Sequence, residues 1–111
     1  MQTIIELPTY LKNAKDLKVS STILNKIKVE LGANPSLGSL IQGTGGLRKI
    51  RFADDNTGKS GSYRVITFFH SKSFPVYLLS IYKKNSKDNL TEIEKAEMKK
   101  LTTLLIEKFE G

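Results

Sequence analysis

The sequence contains no cysteine and a single histidine, His70. The lack of cysteine excludes disulfide frameworks, thiolate nucleophiles and cysteine-ligated zinc. One histidine excludes metal sites built from several imidazoles and any mechanism that needs two of them. We therefore expect no metal and no cofactor. His70 follows an apolar strand pattern and is interpreted as an edge residue, with a general acid or base role as the alternative.

Long hydrophobic runs are also missing. No stretch of about 18 consecutive apolar residues occurs, and no basic segment precedes the short apolar run near the N-terminus. We therefore expect a cytoplasmic protein that does not bind membranes. The sequon at residues 89–91 is then a chance match, because glycosylation needs the secretory route.

Positive charge is abundant and unevenly distributed. The 111 residues carry 18 Lys and Arg against 11 Asp and Glu, for a net charge of +7. This length predicts one domain, residues 1–111. Residues 36–91 hold nine basic side chains against three acidic ones. Such a concentration is typical of proteins that contact phosphates.

The hydrophobic patterns predict an α+β fold, with helices packed on a small antiparallel sheet of three to four strands. A short strand at residues 3–6 precedes a helical turn that Pro8 opens and that runs through Leu11. The three longer strand patterns form an antiparallel meander; they cover Leu47–Phe52, Tyr63–His70 and Val76–Lys83.

Two longer helices are expected. The first has Ser20 or Ser21 as N-cap and stops at Gly32. The second spans about residues 92–109 and begins with a capping box formed by Thr91 and Glu94. Its apolar stripe consists of Ile93, Met98, Leu101, Leu105 and Phe109.

Two glycine-containing segments are candidates for phosphate contact. Residues 53–60 match the relaxed phosphate-loop pattern, but a strand rather than a helix follows them, which favours a hairpin loop. Residues 43–46 (GTGG) can bring backbone amides close to a phosphate, or can simply lead into the next strand.

A group of basic residues on the predicted strands is the main functional signal. Lys49 and Arg51 alternate with apolar residues and therefore share one face of a strand, roughly 7 Å apart, which is near the spacing of successive phosphates. Arg64 lies in an otherwise apolar strand, where an unpaired charge is costly and suggests a function. Further basic residues follow the last strand beside Tyr82; they are Lys83, Lys84 and Lys87.

Several of these segments together resemble a known family. The motif GTGGLRKIRF, then GSYRVITFF, then YLLSIYKKN and a capped C-terminal helix resembles the HigB branch of the RelE/ParE toxin superfamily. The resemblance covers nearly the whole chain. It implies the toxin of a type II toxin–antitoxin pair, a metal-independent endoribonuclease that cuts translated mRNA in the ribosomal A site. In such enzymes a 2′-hydroxyl attacks the neighbouring phosphate.

The resemblance also implies roles for individual residues. Lys49 and Arg51 orient the phosphate and assist removal of the 2′-hydroxyl proton, and Arg64 stabilises charge on the phosphate oxygens. Lys84 occupies the later basic position, with Tyr82 beside it. These five are the expected catalytic residues. The expected RNA-binding residues are Arg48, Lys59, Lys83 and Lys87.

The sequence departs from the better-known RelE pattern at Leu90, where that branch has a tyrosine near the scissile nucleotide. Tyr82 or His70 is the candidate to replace it. The implied partners are the translating ribosome with its mRNA and a DNA-binding, HigA-like antitoxin that connects the toxin to operator DNA. Two alternatives remain: a non-catalytic, ParE-like inhibitor of DNA gyrase, and a plain RNA-binding module.

Overall fold

The computed structural model of the chain describes residues 2–53, 62–83 and 90–110. It has the expected α+β architecture. In chain order its elements are β1 (Ile4–Glu6), α1 (Pro8–Asp16), α2 (Ser21–Ala33), β2 (Ser39–Leu40), β3 (Leu47–Ala53), β4 (Ser62–Phe68), β5 (Val76–Lys83) and α3 (Glu92–Glu110). Within these ranges, no helix combines the length and apolar character needed to cross a membrane.

The strands form one mixed sheet of five strands in the order β1-β5-β4-β3-β2. The antiparallel meander of β3, β4 and β5 is confirmed. The predicted count of three to four strands and the purely antiparallel character are wrong. β1 joins the sheet by pairing in parallel with β5, and β2 is a two-residue strand between α2 and β3, where no strand was predicted. The pairing of β1 with β5 joins residues distant in sequence, which no local pattern encodes.

The two N-terminal helices follow from local signals. Pro8 stands at the start of α1, where its missing N–H costs nothing, and α1 continues for nine residues instead of one turn. Ser20 is the N-cap of α2, since its hydroxyl accepts a hydrogen bond from the Ile23 N–H at 3.2 Å. This helix ends at Ala33, one residue beyond the predicted stop at Gly32.

The C-terminal helix begins as its sequence predicts. The Thr91 hydroxyl accepts from the Glu94 N–H at 3.1 Å, and the Glu94 carboxylate accepts from the Thr91 N–H at 2.9 Å. Most of the predicted stripe packs on the sheet, but Ile93 is 73% exposed. Ile93 sits in the first turn, before the residues of α3 that reach the sheet. Phe109 is half-exposed, and its ring packs edge-on against Phe74 with centroids 4.7 Å apart.

Separate hydrophobic clusters lie on the two faces of the sheet. On the α1–α2 face, residues from those helices pack on alternate residues of the strands; its fully buried members include Tyr10, Ile27, Leu31, Val65, Val76 and Leu78. On the α3 face, the buried residues are Leu47, Ile66, Phe68, Phe74 and Leu79. Each fully buried aliphatic side chain contributes about 1.5–3 kcal/mol.

The GTGG segment fastens α3 to the start of β3. Thr44 is fully buried, donates to the Ile41 carbonyl at 2.6 Å and accepts from the Leu47 N–H at 3.2 Å. Its own carbonyl accepts from the Thr102 hydroxyl on α3 at 3.1 Å. Gly45 has φ of +79°, and a Cβ there would lie 2.7 Å from the Thr102 hydroxyl oxygen. The turn therefore needs glycine at this position and acts in packing.

Candidate functional site

The alternation of β3 separates its three cations between the two faces of the sheet. Lys49 and Arg51 share the α3 face with Leu47, as the sequence predicts. Arg48 shares the opposite face with Ile50 and donates to the Gly38 carbonyl at 3.1 Å. The structure therefore does not bring Arg48 together with its two neighbours.

Strand register places three functional candidates side by side. Arg51 of β3 lies directly opposite Arg64 of β4, and Arg64 lies directly opposite Tyr82 of β5. Directly opposed residues in antiparallel strands have Cβ atoms about 5 Å apart. Lys49 lies two residues before Arg51 on β3 and therefore on the same face. We call Lys49, Arg51, Arg64 and Tyr82 the basic row.

The basic row begins where the apolar cover of the α3 face ends. The apolar side chains of α3 pack near the start of β3 and the end of β4, on Leu47, Ile66 and Phe68. Arg51 lies further along β3 and is exposed. Tyr82 is at the boundary, since it is only partly buried and packs against the α3 cluster. Among the described residues the row is therefore a shallow surface beside α3 and not an enclosed cavity.

The two arginines of the row differ in how they are held. The Nε of Arg51 donates to the hydroxyl of Ser62, a buried residue of β4, at 2.8 Å. This bond uses one of the five guanidinium N–H groups and restrains the orientation of the side chain. Arg64 is half-buried. One terminal nitrogen of Arg64 is buried and has no hydrogen-bond partner in the described part of the chain.

Opposed positive charges make the basic row attractive to anions. No carboxylate of the described residues forms an ion pair with Arg51 or Arg64. Like charges placed directly opposite each other on a sheet are destabilising, and an unsatisfied buried donor costs about 1–3 kcal/mol. A phosphodiester bound between the two guanidinium groups would relieve both costs, because arginine matches phosphate oxygens in charge and geometry.

Tyr82 reaches this face through an irregularity in β5. Ile66 pairs with Ser80, but the next residue, Thr67, pairs with Leu78, so β5 contains one extra residue at this point. Such a bulge shifts the face of every later residue. Leu78 before the bulge and Ile81 after it are thus both buried on the α1–α2 face. Tyr82 consequently joins the α3 face.

The other sequence-predicted residues lie elsewhere. Lys83 is on the α1–α2 face, where its ammonium stands 5.1 Å from the centre of the Tyr63 ring. His70 is exposed beyond the far end of β4, roughly 20 Å along the strand from Arg64, and its ring contacts Phe68. It is therefore not placed to replace the missing tyrosine. Leu90 is buried. Three predicted residues lie outside the described residues: Lys59, Lys84 and Lys87.

Sequence reasoning missed two polar residues that support the row. Ser62 was visible only as part of GSYR, and its bond to Arg51 depends on the pairing of β3 with β4. Asn13 lies on α1, and its side-chain oxygen accepts from the Ser80 hydroxyl at 3.1 Å. No local pattern signals that contact. In the described ranges, no three His, Cys, Asp or Glu side chains group as metal ligands would.

Comparison with known proteins identifies a matching family and a similar fold. The family described as the RelE toxin of the RelE/RelB toxin–antitoxin system matches residues 9–110. Among solved structures, the chain is similar to an arginine-to-alanine double mutant of the E. coli toxin RelE in the free state. The TM-score is 0.56 at 20% sequence identity, over 78% of this chain and 87% of the other. At that identity, the structural match concerns the fold.

Proposed function

This chain belongs to the RelE family of toxins from toxin–antitoxin systems, and we propose that it is a metal-independent endoribonuclease that cleaves mRNA in the ribosomal A site. The observation that carries the proposal is the basic row. Two directly opposed arginines without acidic partners among the described residues, a lysine one pleat away and a neighbouring tyrosine form a surface suited to one phosphodiester.

The reaction we propose needs only the substrate and these side chains. The 2′-oxygen of one nucleotide bonds to the adjacent phosphorus, and the bond from phosphorus to the 5′-oxygen breaks. The 2′-hydroxyl loses a proton and the departing 5′-oxygen gains one, which leaves a cyclic phosphate and a free hydroxyl. Negative charge grows on the non-bridging oxygens along the way, so fixed cations accelerate the reaction.

Each member of the row has a proposed role. Arg64 stabilises the growing charge, since its guanidinium is partly buried and one of its nitrogens has no hydrogen-bond partner among the described residues. Arg51, fixed by Ser62, and Lys49 orient the phosphate and assist removal of the proton. Tyr82 takes over the base stacking and part of the acid–base work, because the RelE tyrosine position is occupied by the buried Leu90. Lys84 remains a proposed catalytic residue.

We also propose the biological setting. The motifs support the HigB branch of the superfamily, a HigA-like, DNA-binding antitoxin as partner, and action in the cytoplasm on translating ribosomes. Operator DNA would then be reached only through the antitoxin complex. The net charge of +7 suits both RNA and an acidic antitoxin segment.

Primer extension on a reporter mRNA after brief induction tests the function. Wild-type protein should produce cuts at in-frame positions, and these should disappear with a reporter that lacks a start codon. Arg64→Ala should remove the cuts at a cost in stability of only about 1 kcal/mol. The lost packing is partly offset, because the substitution also removes a buried nitrogen that has no hydrogen-bond partner among the described residues.

Two results would contradict the proposal. Cuts that persist in Arg64→Ala would remove Arg64 from the site, provided that thermal melting shows both proteins folded. Growth arrest with intact mRNA would exclude the nuclease and point to a protein target such as DNA gyrase.

A further inference from the structure

In the described part of the chain, the edge of β5 next to the basic row has no neighbouring strand. β1 pairs with residues 76–78 of β5 and ends there, after which the chain turns into α1. The backbone of β5 beyond Leu78 therefore has no strand partner on that side within the described residues. Unpaired N–H groups at such an edge need another acceptor.

Asn13 of α1 supplies that acceptor. Its half-buried side-chain oxygen accepts from the Ser80 hydroxyl at 3.1 Å and from the Ile81 N–H at a longer 3.4 Å. Both donors lie at or directly after the bulge of β5. The Asn13 side chain thus holds the bulge of β5 by hydrogen bonds, at the point where the alternation of the strand is interrupted.

The consequence of the bulge falls on Tyr82. With regular alternation from Leu78 onward, Tyr82 would point to the α1–α2 face and Ile81 to the α3 face. The bulge exchanges them. It buries Ile81 in the α1–α2 cluster and sets Tyr82 directly opposite Arg64.

We propose that Asn13 is a positioning residue, which holds the β5 bulge and thereby keeps Tyr82 in the basic row. It touches no substrate and acts through Tyr82. The inference rests on the proposed nuclease function for its catalytic consequence, and on the geometry alone for its structural one.

Two variants of Asn13 separate its hydrogen bonds from its size. Asn13→Leu keeps the number and branching of the side-chain heavy atoms and removes the acceptor, whereas Asn13→Asp keeps the acceptor oxygen. Single-turnover cleavage of ribosome-bound mRNA should slow about tenfold in Asn13→Leu, with substrate affinity unchanged because the three cations remain. Asn13→Asp should restore the rate. Asn25→Leu on the exposed side of α2 is the matched control and should cleave as wild type does.

A double-mutant cycle distinguishes positioning from a general structural effect. In a Tyr82→Leu background, Asn13→Leu should cause no further loss of cleavage, since the residue it acts through is gone. Equal losses in both backgrounds would overturn the proposal. So would a wild-type rate in Asn13→Leu.

Hydrogen exchange of the Ile81 amide gives a readout that does not depend on cleavage. Exchange should be at least tenfold faster in Asn13→Leu than in wild type and Asn13→Asp. Unchanged exchange would overturn the positioning role even if the nuclease is real. Faster exchange in a protein whose wild type cuts no mRNA would instead overturn the proposed function, and with it the catalytic part of this inference.

Discussion

The two faces of the sheet are built from the same strands but differ in how far helices cover them. On the α1–α2 face, two helices cover the apolar side chains of the strands, which include Ile50 of β3 and Ile81 of β5. On the α3 face, one helix covers only the part near Leu47 and Phe68, and the remainder presents the basic row. One face chiefly stabilises the fold. The other divides its length between stability and a charged surface.

The cations show the difference most directly. On the α1–α2 face, Arg48 bonds the Gly38 carbonyl and Lys83 stands over the Tyr63 ring. On the α3 face, Arg64 keeps a buried nitrogen without a partner among the described residues. The strand face, rather than closeness in sequence, determines which cations remain available for a ligand.

Removal of two charges from each face should give the largest difference. The double variant of Lys49→Ala and Arg51→Ala should lose about 10³-fold in cleavage rate, equivalent to about 4 kcal/mol, because both residues are proposed to contact the phosphate. The double variant of Arg48→Ala and Lys83→Ala removes the same charge and should lose only a few-fold. Cleavage rates on one ribosome-bound mRNA measure both.

Equal losses in the two double variants would show that net charge alone matters. That result would favour a plain RNA-binding surface over a site on the α3 face. A urea unfolding curve of each variant provides the necessary control for folding.

Truncation of one core-facing residue on each face should separate the contributions of the two faces to stability. Ile27→Ala, in the fully buried α2 position, should lower the free energy of unfolding by about 3 kcal/mol, since it leaves a cavity. Leu101→Ala on the partly buried α3 should cost about half as much. Urea unfolding monitored by circular dichroism measures both. Equal costs would mean that α3 stabilises its face as strongly as the helix pair does.

The turn that fastens α3 offers a smaller test. Gly45→Ala should lower the free energy of unfolding by about 1–2 kcal/mol, because of its positive φ and the close approach of Thr102. Gly43→Ala is a matched control, since its φ is also positive but no atom lies within 4 Å of the added Cβ. Thermal melting should rank Gly45→Ala below Gly43→Ala. The reverse order would show that the contact with Thr102 is unimportant.

The smallest expected effect concerns Tyr10 in the α1–α2 cluster. Burial raises the pKa of Tyr10, and the charge of Glu6 adds to the shift. The phenol therefore keeps its proton to a higher pH in the folded protein than in the unfolded chain, where its pKa is about 10. Its contribution to stability is fully present below that pH and is lost as the pH rises further.

The substitution Tyr10→Phe removes that titration. At neutral pH it should change the free energy of unfolding by less than about 1 kcal/mol, because the hydroxyl has no hydrogen-bond partner in the described ranges. Above about pH 10 the variant should lose stability less steeply than wild type. Urea unfolding at a series of alkaline pH values measures the slopes. Equal slopes of stability against pH in the two proteins would contradict a raised pKa of Tyr10.

Local signals made much of this fold predictable. The Ser20 cap, the capping box at Thr91 and the alternation of β3 are each encoded within a few residues. The shared face of Lys49 and Arg51 follows from that alternation. The parallel pairing of β1 with β5 was not predictable, because its partners are distant in sequence and the strand itself is only three residues long.

In the candidate site too, the features that depend on local sequence were predictable and those that depend on tertiary contacts were not. Arg64 stands out in sequence as a charge within an apolar strand. The face of Tyr82 depends on a bulge that interrupts the two-residue period, and the buried setting of the Arg64 guanidinium depends on neighbouring strands. The separation of Lys83 from the row has the same origin, since one extra residue in β5 decides it.

The pairing of β1 with β5 also constrains the order of events during synthesis. Ile4 leaves the ribosome first, yet its strand partner Val76 follows roughly 70 residues later. At about 5–20 residues per second, the first strand waits several seconds for its neighbour. Tyr82 and Arg64 are likewise brought together only when β5 has emerged. The basic row and the complete sheet can therefore assemble only late in synthesis, after β5 has left the ribosome.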